Sequence, residues 1–111
     1  MLIVEDDSII AMTAEDMLEE VGCKIADIAG TLAEALARAA DTAFDVALLD
    51  LNLKDESSIP VAALLRDQGK PFVFATGYDG IPVDSGFGDA PFISKPYRMD
   101  QLAAIIARTL G

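Results

Sequence analysis

One mostly apolar stretch decides the fold of this chain: Phe44-Asp45-Val46-Ala47-Leu48-Leu49-Asp50-Leu51-Asn52. Its apolar part suits a β-strand and stops abruptly at a carboxylate, which is typical of a strand buried on both faces of a parallel sheet. The last side chain of such a strand lies in the crevice at the carboxyl edge of the sheet, where doubly wound α/β proteins bind ligands. The stretch makes Asp50 a candidate functional residue, although by itself it favours the simpler role of opening a loop.

Size and composition predict one ordinary globular domain. The chain has 111 residues, of which 52% are hydrophobic. This length suits a single core, and the apolar content argues against disorder. We therefore predict one domain over residues 1–111. No apolar run approaches the roughly 20 residues that span a bilayer. The first four residues, which suit a strand, are followed at once by acids and do not resemble a signal peptide.

Charge and residue types exclude several kinds of site. The net charge is −11 and there is no Lys/Arg-rich helix, so we expect no direct nucleic-acid binding and no adsorption to membranes. The absence of His and the single Cys23 argue against a zinc site and against Ser/His or Cys/His nucleophile pairs. Any metal should be a hard cation held by oxygen ligands. A lone Cys also fits a reducing, cytoplasmic location.

Strands and helices alternate along the chain. We predict strands over 2–4, 24–29, 44–50, 71–76 and 91–94, and helices over 9–21, 32–40, 60–68 and 99–110. Ser8 is the predicted N-cap of the first helix. The segment 77–91 carries four Gly and two Pro, so a helix there should be short or irregular. The alternation implies an α/β fold, with a parallel sheet, helices on both faces and right-handed crossovers.

Distinctive polar residues stand at the carboxyl ends of four predicted strands: Glu5 and Asp6, Asp50, Thr76, and Lys95. In a parallel sheet these ends share one edge. Two carboxylates about 4 Å apart repel by roughly 4 kcal/mol at an effective dielectric near 20. The acids therefore favour a bound cation or raised pKa values. Without His or Cys ligands, Mg²⁺ is the natural candidate. A metal beside a lysine and a hydroxyl suits a phosphoryl group.

With these motifs in place, the chain resembles the receiver domain of two-component response regulators over essentially its whole length. The resemblance is carried by Leu2-Ile3-Val4-Glu5-Asp6-Asp7, Ala47-Leu48-Leu49-Asp50-Leu51-Asn52, Phe74-Ala75-Thr76-Gly77 and Ser94-Lys95-Pro96-Tyr97. The stretch 71–78 further looks like the signature of the "FAT GUY" receivers, which are often single-domain proteins. The resemblance implies a doubly wound, flavodoxin-like (βα)5 fold with a five-stranded parallel sheet in the order 2-1-3-4-5.

The resemblance also implies roles at the metal and the nucleophile. Asp50 would accept a phosphoryl group from a partner's phosphohistidine. Asp6 would bind Mg²⁺ directly, Glu5 would do so mainly through water, and Asn52 would offer its backbone carbonyl. The partners would be a sensor histidine kinase or histidine phosphotransferase and a downstream protein. The product would be a changed binding surface, so the domain would not be a turnover enzyme.

The resemblance implies further roles in binding the phosphoryl group and in passing its signal to the protein surface. Lys95 would pair with the phosphoryl oxygens, and the Lys95–Pro96 peptide would be cis. Thr76 would move onto the phosphoryl group, Phe92 occupies an aromatic switch position, and Tyr78 is a second switch candidate.

Simpler roles compete with several of these. Glu5 and Asp6 could be helix-leading acids, which the helix dipole favours. Thr76 could be an ordinary strand residue and Lys95 a solvated one. Phe92 could simply pack. We expect a solvent-exposed role for Asp7.

Two residues of the first helix lie away from its main apolar stripe. Ile9 and Met12 could form a docking patch for a helix of the kinase or phosphotransferase, or they could pack internally.

The chain departs from the usual receiver pattern in three places. The loop after Asp50 lacks the Pro and Gly often found there, Gly77 replaces a small Ala, and 79–90 is too Gly-rich for a full fourth helix. We expect an unusual output surface as a result.

Two rival functions remain. A phosphohydrolase of the haloacid-dehalogenase type also uses an Asp nucleophile at a strand end, but it typically carries a second Asp where this chain has Asn52. A pseudo-receiver that binds partners without phosphorylation would not need Glu5, Asp6, Asp50, Thr76 and Lys95 together. We expect either a stand-alone receiver or a piece of a longer kinase or regulator.

Overall fold

The computed structural model describes residues 1–41, 43–53, 56–77, 86–87, 90–95 and 97–110. Within these ranges the elements are, in chain order, β1 (Leu2–Val4), α1 (Ser8–Glu20), β2 (Asp27–Ala29), α2 (Leu32–Asp41), β3 (Ala47–Asp50), β4 (Asn52–Leu53), β5 (Glu56–Ser57), α3 (Ile59–Asp67), β6 (Phe72–Thr76), β7 (Phe92–Ser94) and α4 (Met99–Leu110). None of the helices in these ranges is long and apolar enough to cross a membrane.

Five of the strands form one parallel sheet in the order β2-β1-β3-β6-β7. This order confirms the predicted order 2-1-3-4-5, because β4 and β5 form a separate hairpin. In the register of the sheet, Asp50 lies opposite Ala75 of β6, and Thr76 lies opposite Ser94 of β7. The polar ends of the strands are therefore brought to one edge.

Each face of the sheet is covered by helices, which confirms the predicted α/β architecture. Alternate strand residues point to opposite faces. On one face, Leu49 and Phe74 pack in a core with residues of α2 and α3. On the other face, Leu48 and Val73 pack with residues of α1 and α4. Because the inner strands are buried on both faces, their sequences are nearly continuous apolar runs.

Two strands are three residues shorter than predicted, and β6 and β7 are one residue shorter. The predicted strands 24–29 and 44–50 are reduced to Asp27–Ala29 and Ala47–Asp50. At the start of the described ladders, Leu2 pairs with Asp27 on one side and with Ala47 on the other. Just before β2, the backbone N–H of Ala26 still donates to the carbonyl of Met1 at 2.7 Å.

The start of α1 differs from the prediction. Asp7, not Ser8, is its N-cap, and the Asp7 side chain accepts hydrogen bonds from the backbone N–H groups of Ile9 and Ile10. Asp7 has extended backbone angles, as an N-cap residue requires. Asp7 is exposed, as expected, and it also caps α1.

The predicted short or irregular fourth helix lies mostly outside the described residues. Of the segment 77–91, the structure describes 77, 86–87 and 90–91. Within it, Phe87 is buried in the same core as Phe74.

Candidate carboxylate and lysine site

Three acids converge at the carboxyl edge of the sheet. Glu5 directly follows β1, and Asp50 ends the neighbouring strand β3. One carboxylate oxygen from each of Glu5, Asp6 and Asp50 lies within 4.8 Å of the other two. Glu5 and Asp50 are buried, with 3% and 6% of their surface exposed, whereas Asp6 is half-buried. Adjacent strand ends therefore place the acids together, as expected from the sequence.

Lys95, which directly follows the edge strand β7, completes the cluster. Its Nζ lies 2.7 Å from Oε1 of Glu5 and 3.1 Å from Oδ2 of Asp50. Its backbone N–H donates to the carbonyl of Thr76 at 2.9 Å, which holds the start of the Lys95 loop against the end of β6. From β7 the long side chain then reaches across to β3 and β1. Lys95 is thus part of the cluster, not a solvated surface lysine.

The cluster holds two buried carboxylates against one ammonium group. Burial, together with a hydrogen bond and repulsion from Asp50, raises the pKa of Glu5 from 4.5 to about 7, although Lys95 acts in the opposite direction. Burial tends to lower the pKa of Lys95, but the two carboxylates outweigh it and raise that pKa. One ammonium group therefore does not balance the buried acids, and the cluster attracts a proton or a further cation.

Tyr97 stands beside this charge. It is buried, and burial together with the negative charges of Glu5 and Asp50 raises its pKa. It therefore stays a neutral phenol at physiological pH. Burial also means that Tyr97 packs in the core formed with α1 and α4.

Thr76 and Phe92 occupy the neighbouring strands. Thr76 ends β6 with 1% of its surface exposed, at the same edge as Asp50. Phe92 begins β7 opposite Phe74 and is 40% exposed, so it is not a core residue. Tyr78 and Pro96 lie outside the described residues, and with them the second switch candidate and the predicted cis peptide.

After Asp50, the stretch predicted as a loop contains a short antiparallel pair of strands, β4 and β5. Asn52 pairs with Ser57, and Leu53 pairs with Glu56. The backbone N–H of Asn52 donates to Oδ1 of Asp50 at 3.3 Å. Asn52 itself is exposed, so its backbone, not a buried side chain, meets the site.

Two residues near the site were not predicted from the sequence. Asp7 caps α1, and its N–H donates to Oε2 of Glu5 at 3.3 Å. Ser58 is fully buried, with its hydroxyl against the carbonyl of Leu51. An acid directly before a helix could have signalled the cap. Nothing local to Ser58 distinguishes it from Ser57.

The surface of α1 is apolar beside this edge. Ile9 is 74% exposed and Met12 is 61% exposed, so an internal packing role for them is wrong. Nearby, a pocket of about 410 Å³ is lined by Ile10, Thr13, Lys95 and Tyr97. Because Lys95 lines this pocket, the pocket reaches the charged cluster.

A family model for the response regulator receiver domain matches residues 1–107. The chain belongs to this family. Among curated relatives, the cell cycle response regulator CtrA of Brucella ovis is 34% identical over 121 residues, which cover 99% of this chain and 51% of that protein. The chain spans about half the length, or less, of the curated relatives it matches, at 41% and 51% of two of them.

Solved structures agree with this assignment. SdrG from Sphingomonas melonis Fr1 is 46% identical, with a TM-score of 0.85, over 99% of this chain and 94% of that one. The response regulator PhyR from Brucella abortus is 30% identical, with a TM-score of 0.82, over 98% of this chain and 46% of that one. This chain is thus a receiver domain of two-component signalling with a flavodoxin-like fold.

The donor set of the receiver domain suits Mg²⁺. Three carboxylates with mutually close oxygens provide hard ligands, and half-buried Asp6 leaves room for the waters that Mg²⁺ retains.

Proposed function

We propose that this receiver domain is a phosphoacceptor switch in which Asp50 takes a phosphoryl group from a partner's phosphohistidine. The observation that carries the proposal is the contact of Lys95 with both Asp50 and Glu5, next to Asp6. A carboxylate nucleophile, a cation site and a fixed ammonium group are the parts that phosphoryl transfer to an acid requires.

In the proposed reaction, a carboxylate oxygen of Asp50 attacks the phosphorus atom. The P–N bond of the partner's phosphohistidine breaks, and the imidazole leaves with the bonding electrons. Bound Mg²⁺ would neutralise charge on the phosphoryl oxygens. Asp6, Asp50 and the backbone carbonyl of Asn52 would hold it directly, and Glu5 mainly through water. Lys95 would pair with another phosphoryl oxygen, to which Thr76 would donate a hydrogen bond.

The product is proposed to be a changed surface. Thr76 would change its contacts when a phosphoryl group arrives, and Phe92 and Tyr78 are the proposed switch residues that pass this change to a downstream protein. The exposure of Phe92 supports a surface role. A cytoplasmic location and a single domain over residues 1–111 stay predictions.

The proposed phosphodonor is a sensor histidine kinase or a histidine phosphotransferase. Ile9 and Met12 are exposed apolar side chains of α1, and they support docking of an apolar helix of the partner. The same helix, α1, lines the pocket that reaches Lys95, so a partner docked there would lie near the charged cluster. Such docking would bring the phosphohistidine to the carboxyl edge of the sheet.

We propose signalling without turnover. A hydrolase of the haloacid-dehalogenase type would use an acid as general acid at this position, where the chain has Asn52, whose amide cannot take that role. Steady release of phosphate from small phosphoesters would favour the hydrolase.

Intact mass spectrometry tests the proposal directly. After incubation with acetyl phosphate and Mg²⁺, the wild type should gain the mass of one phosphoryl group, and Asp50→Ala should gain none. The matched control is Asp45→Ala, which removes an exposed acid from the opposite end of the same stretch and should leave the modification intact. An unmodified wild type, or equal modification of Asp50→Ala, would refute the phosphoacceptor role and favour a pseudo-receiver.

A further inference from the structure

Ser58 stands at the N-cap position of α3 but does not cap the helix. Its side chain makes no hydrogen bond to the first N–H groups of α3. Instead, the N–H of Ile59 donates to the hydroxyl of the preceding residue, Ser57, at 3.1 Å. A serine at an N-cap normally accepts a bond from the second or third residue of the helix, and here the second residue is Pro60, which has no N–H. The hydroxyl of Ser58 is therefore committed elsewhere.

Both donors of Ser58 converge on one carbonyl. The backbone N–H of Ser58 lies 3.1 Å from the carbonyl oxygen of Leu51, and its hydroxyl lies 3.3 Å from the same oxygen. Ser58 is fully buried, so water does not compete for these contacts. The N–H of Leu51 donates to the carbonyl of Ala75 at 2.8 Å, which ties the residue to β6.

The carbonyl of Leu51 and the N–H of Asn52 belong to one planar peptide group. At one end of this plane the carbonyl accepts from Ser58. At the other end the N–H donates to Oδ1 of Asp50. In a trans peptide the two groups point in opposite directions, so a force that orients the carbonyl also orients the N–H.

We propose that Ser58 is a positioning residue for the phosphoacceptor. Its hydroxyl holds the Leu51–Asn52 peptide in the orientation in which the N–H of Asn52 contacts Oδ1 of Asp50, while Lys95 contacts Oδ2. Both carboxylate oxygens of Asp50 are then oriented before a phosphodonor arrives. This inference rests on the proposed phosphoacceptor role of Asp50.

The distances set the size of the expected effect. At 3.3 Å the hydroxyl contact is longer than the roughly 2.5–3.0 Å usual for an O–H···O bond, and the backbone N–H of Ser58 holds the same oxygen at 3.1 Å, so loss of the hydroxyl should weaken the orientation without abolishing it. For Ser58→Ala we expect the rate constant for phosphorylation by acetyl phosphate, at saturating Mg²⁺, to fall about 3- to 10-fold. Amide hydrogen exchange at Asn52 should become faster by a similar factor.

Two further variants separate positioning from stability. Ser58→Thr keeps the hydroxyl and should restore both the rate and the exchange protection. Ser57→Ala removes the neighbouring hydroxyl and its bond to Ile59, so it should cost stability but leave both readouts unchanged. Wild-type behaviour of Ser58→Ala, or an equal effect of Ser57→Ala, would overturn the proposal.

The hydrogen-exchange measurement tests the positioning role of Ser58 independently of whether Asp50 is phosphorylated. If the wild type were never phosphorylated, the proposed function would fall, whereas unchanged protection at Asn52 in Ser58→Ala would refute the positioning role by itself. Slower phosphorylation with unchanged exchange would also contradict it, because the hydroxyl would then act by another route.

Discussion

Two buried clusters of this domain are stabilised by different interactions: a charged cluster by ion pairs and an aromatic cluster by ring packing. In the charged cluster, the ammonium group of Lys95 pairs with the buried carboxylates of Glu5 and Asp50. The pKa of Glu5 is raised to about 7. In the aromatic cluster, the rings of Phe72, Phe74 and Phe87 meet edge to face, with centroids 5.5 to 6.0 Å apart. The charged cluster favours binding of a further cation. The aromatic cluster contributes to the stability of the fold alone.

Strand β6 joins the two clusters. Phe72, Phe74 and Thr76 alternate along it and so point to the same face. Phe87 packs on the two phenylalanines from the far end of the segment that begins after Thr76, and the Arg66 guanidinium lies 3.9 Å from its ring centroid. Arg66 also donates to the carbonyl of Gly86 at 3.3 Å. Gly86 and Phe87 are therefore held against α3 and β6 by a hydrogen bond and by ring packing.

The largest expected effect is on the aromatic cluster. Phe87→Ala should lower the free energy of unfolding by about 3–5 kcal/mol, because it empties a buried ring site. Urea denaturation measures this loss. The control is Phe92→Ala at a 40% exposed position, which should cost less than about 1 kcal/mol. Equal losses would show that Phe87 is no anchor.

A smaller effect concerns pH and the charged cluster. Because folding raises the pKa of Glu5 from 4.5 to about 7, the folded state binds more protons than the unfolded state between these values. Glu5 should therefore stabilise the fold fully below about pH 4.5 and lose this contribution as pH rises to about 7. The change is at most about 3 kcal/mol.

Urea denaturation in EDTA measures this dependence as the difference between the wild type and Glu5→Gln. The stability advantage of the wild type should decline from pH 4.5 to pH 7. Mg²⁺ should offset the decline, because it binds the deprotonated acids. A difference that stayed constant with pH would contradict the raised pKa.

The smallest effect concerns the contact between Arg66 and Phe87. Arg66→Met should lower the free energy of unfolding by about 1 kcal/mol, through loss of the cation–π contact and the bond to Gly86. In the Phe87→Ala background most of this cost should disappear. Arg108→Met is the control on α4. Full additivity of the Arg66 and Phe87 substitutions would show that the two side chains are not coupled.

Much of the site was predictable because it stands at strand ends. Asp50, Glu5 and Lys95 each follow a short apolar run, and parallel strands bring such ends to one edge. Asp7 as a cap, Ser58 as a buried donor and Phe87 as a core residue were not predicted. Their neighbours in the structure are not their neighbours in sequence, apart from Asp7, whose signal was ambiguous beside Ser8.

The order of the sheet was predicted through the resemblance to receiver domains. The sequence by itself determined the alternation of elements and the residues that meet at the carboxyl edge of the sheet. These follow from periodicity and from the geometry of parallel strands, which are local properties. Only the tertiary structure decided how far each strand extends, which hydroxyl faces the Leu51 carbonyl, and which aromatic ring closes the core beside Arg66. These depend on register and on side-chain packing between distant segments, and no short stretch of sequence encodes either.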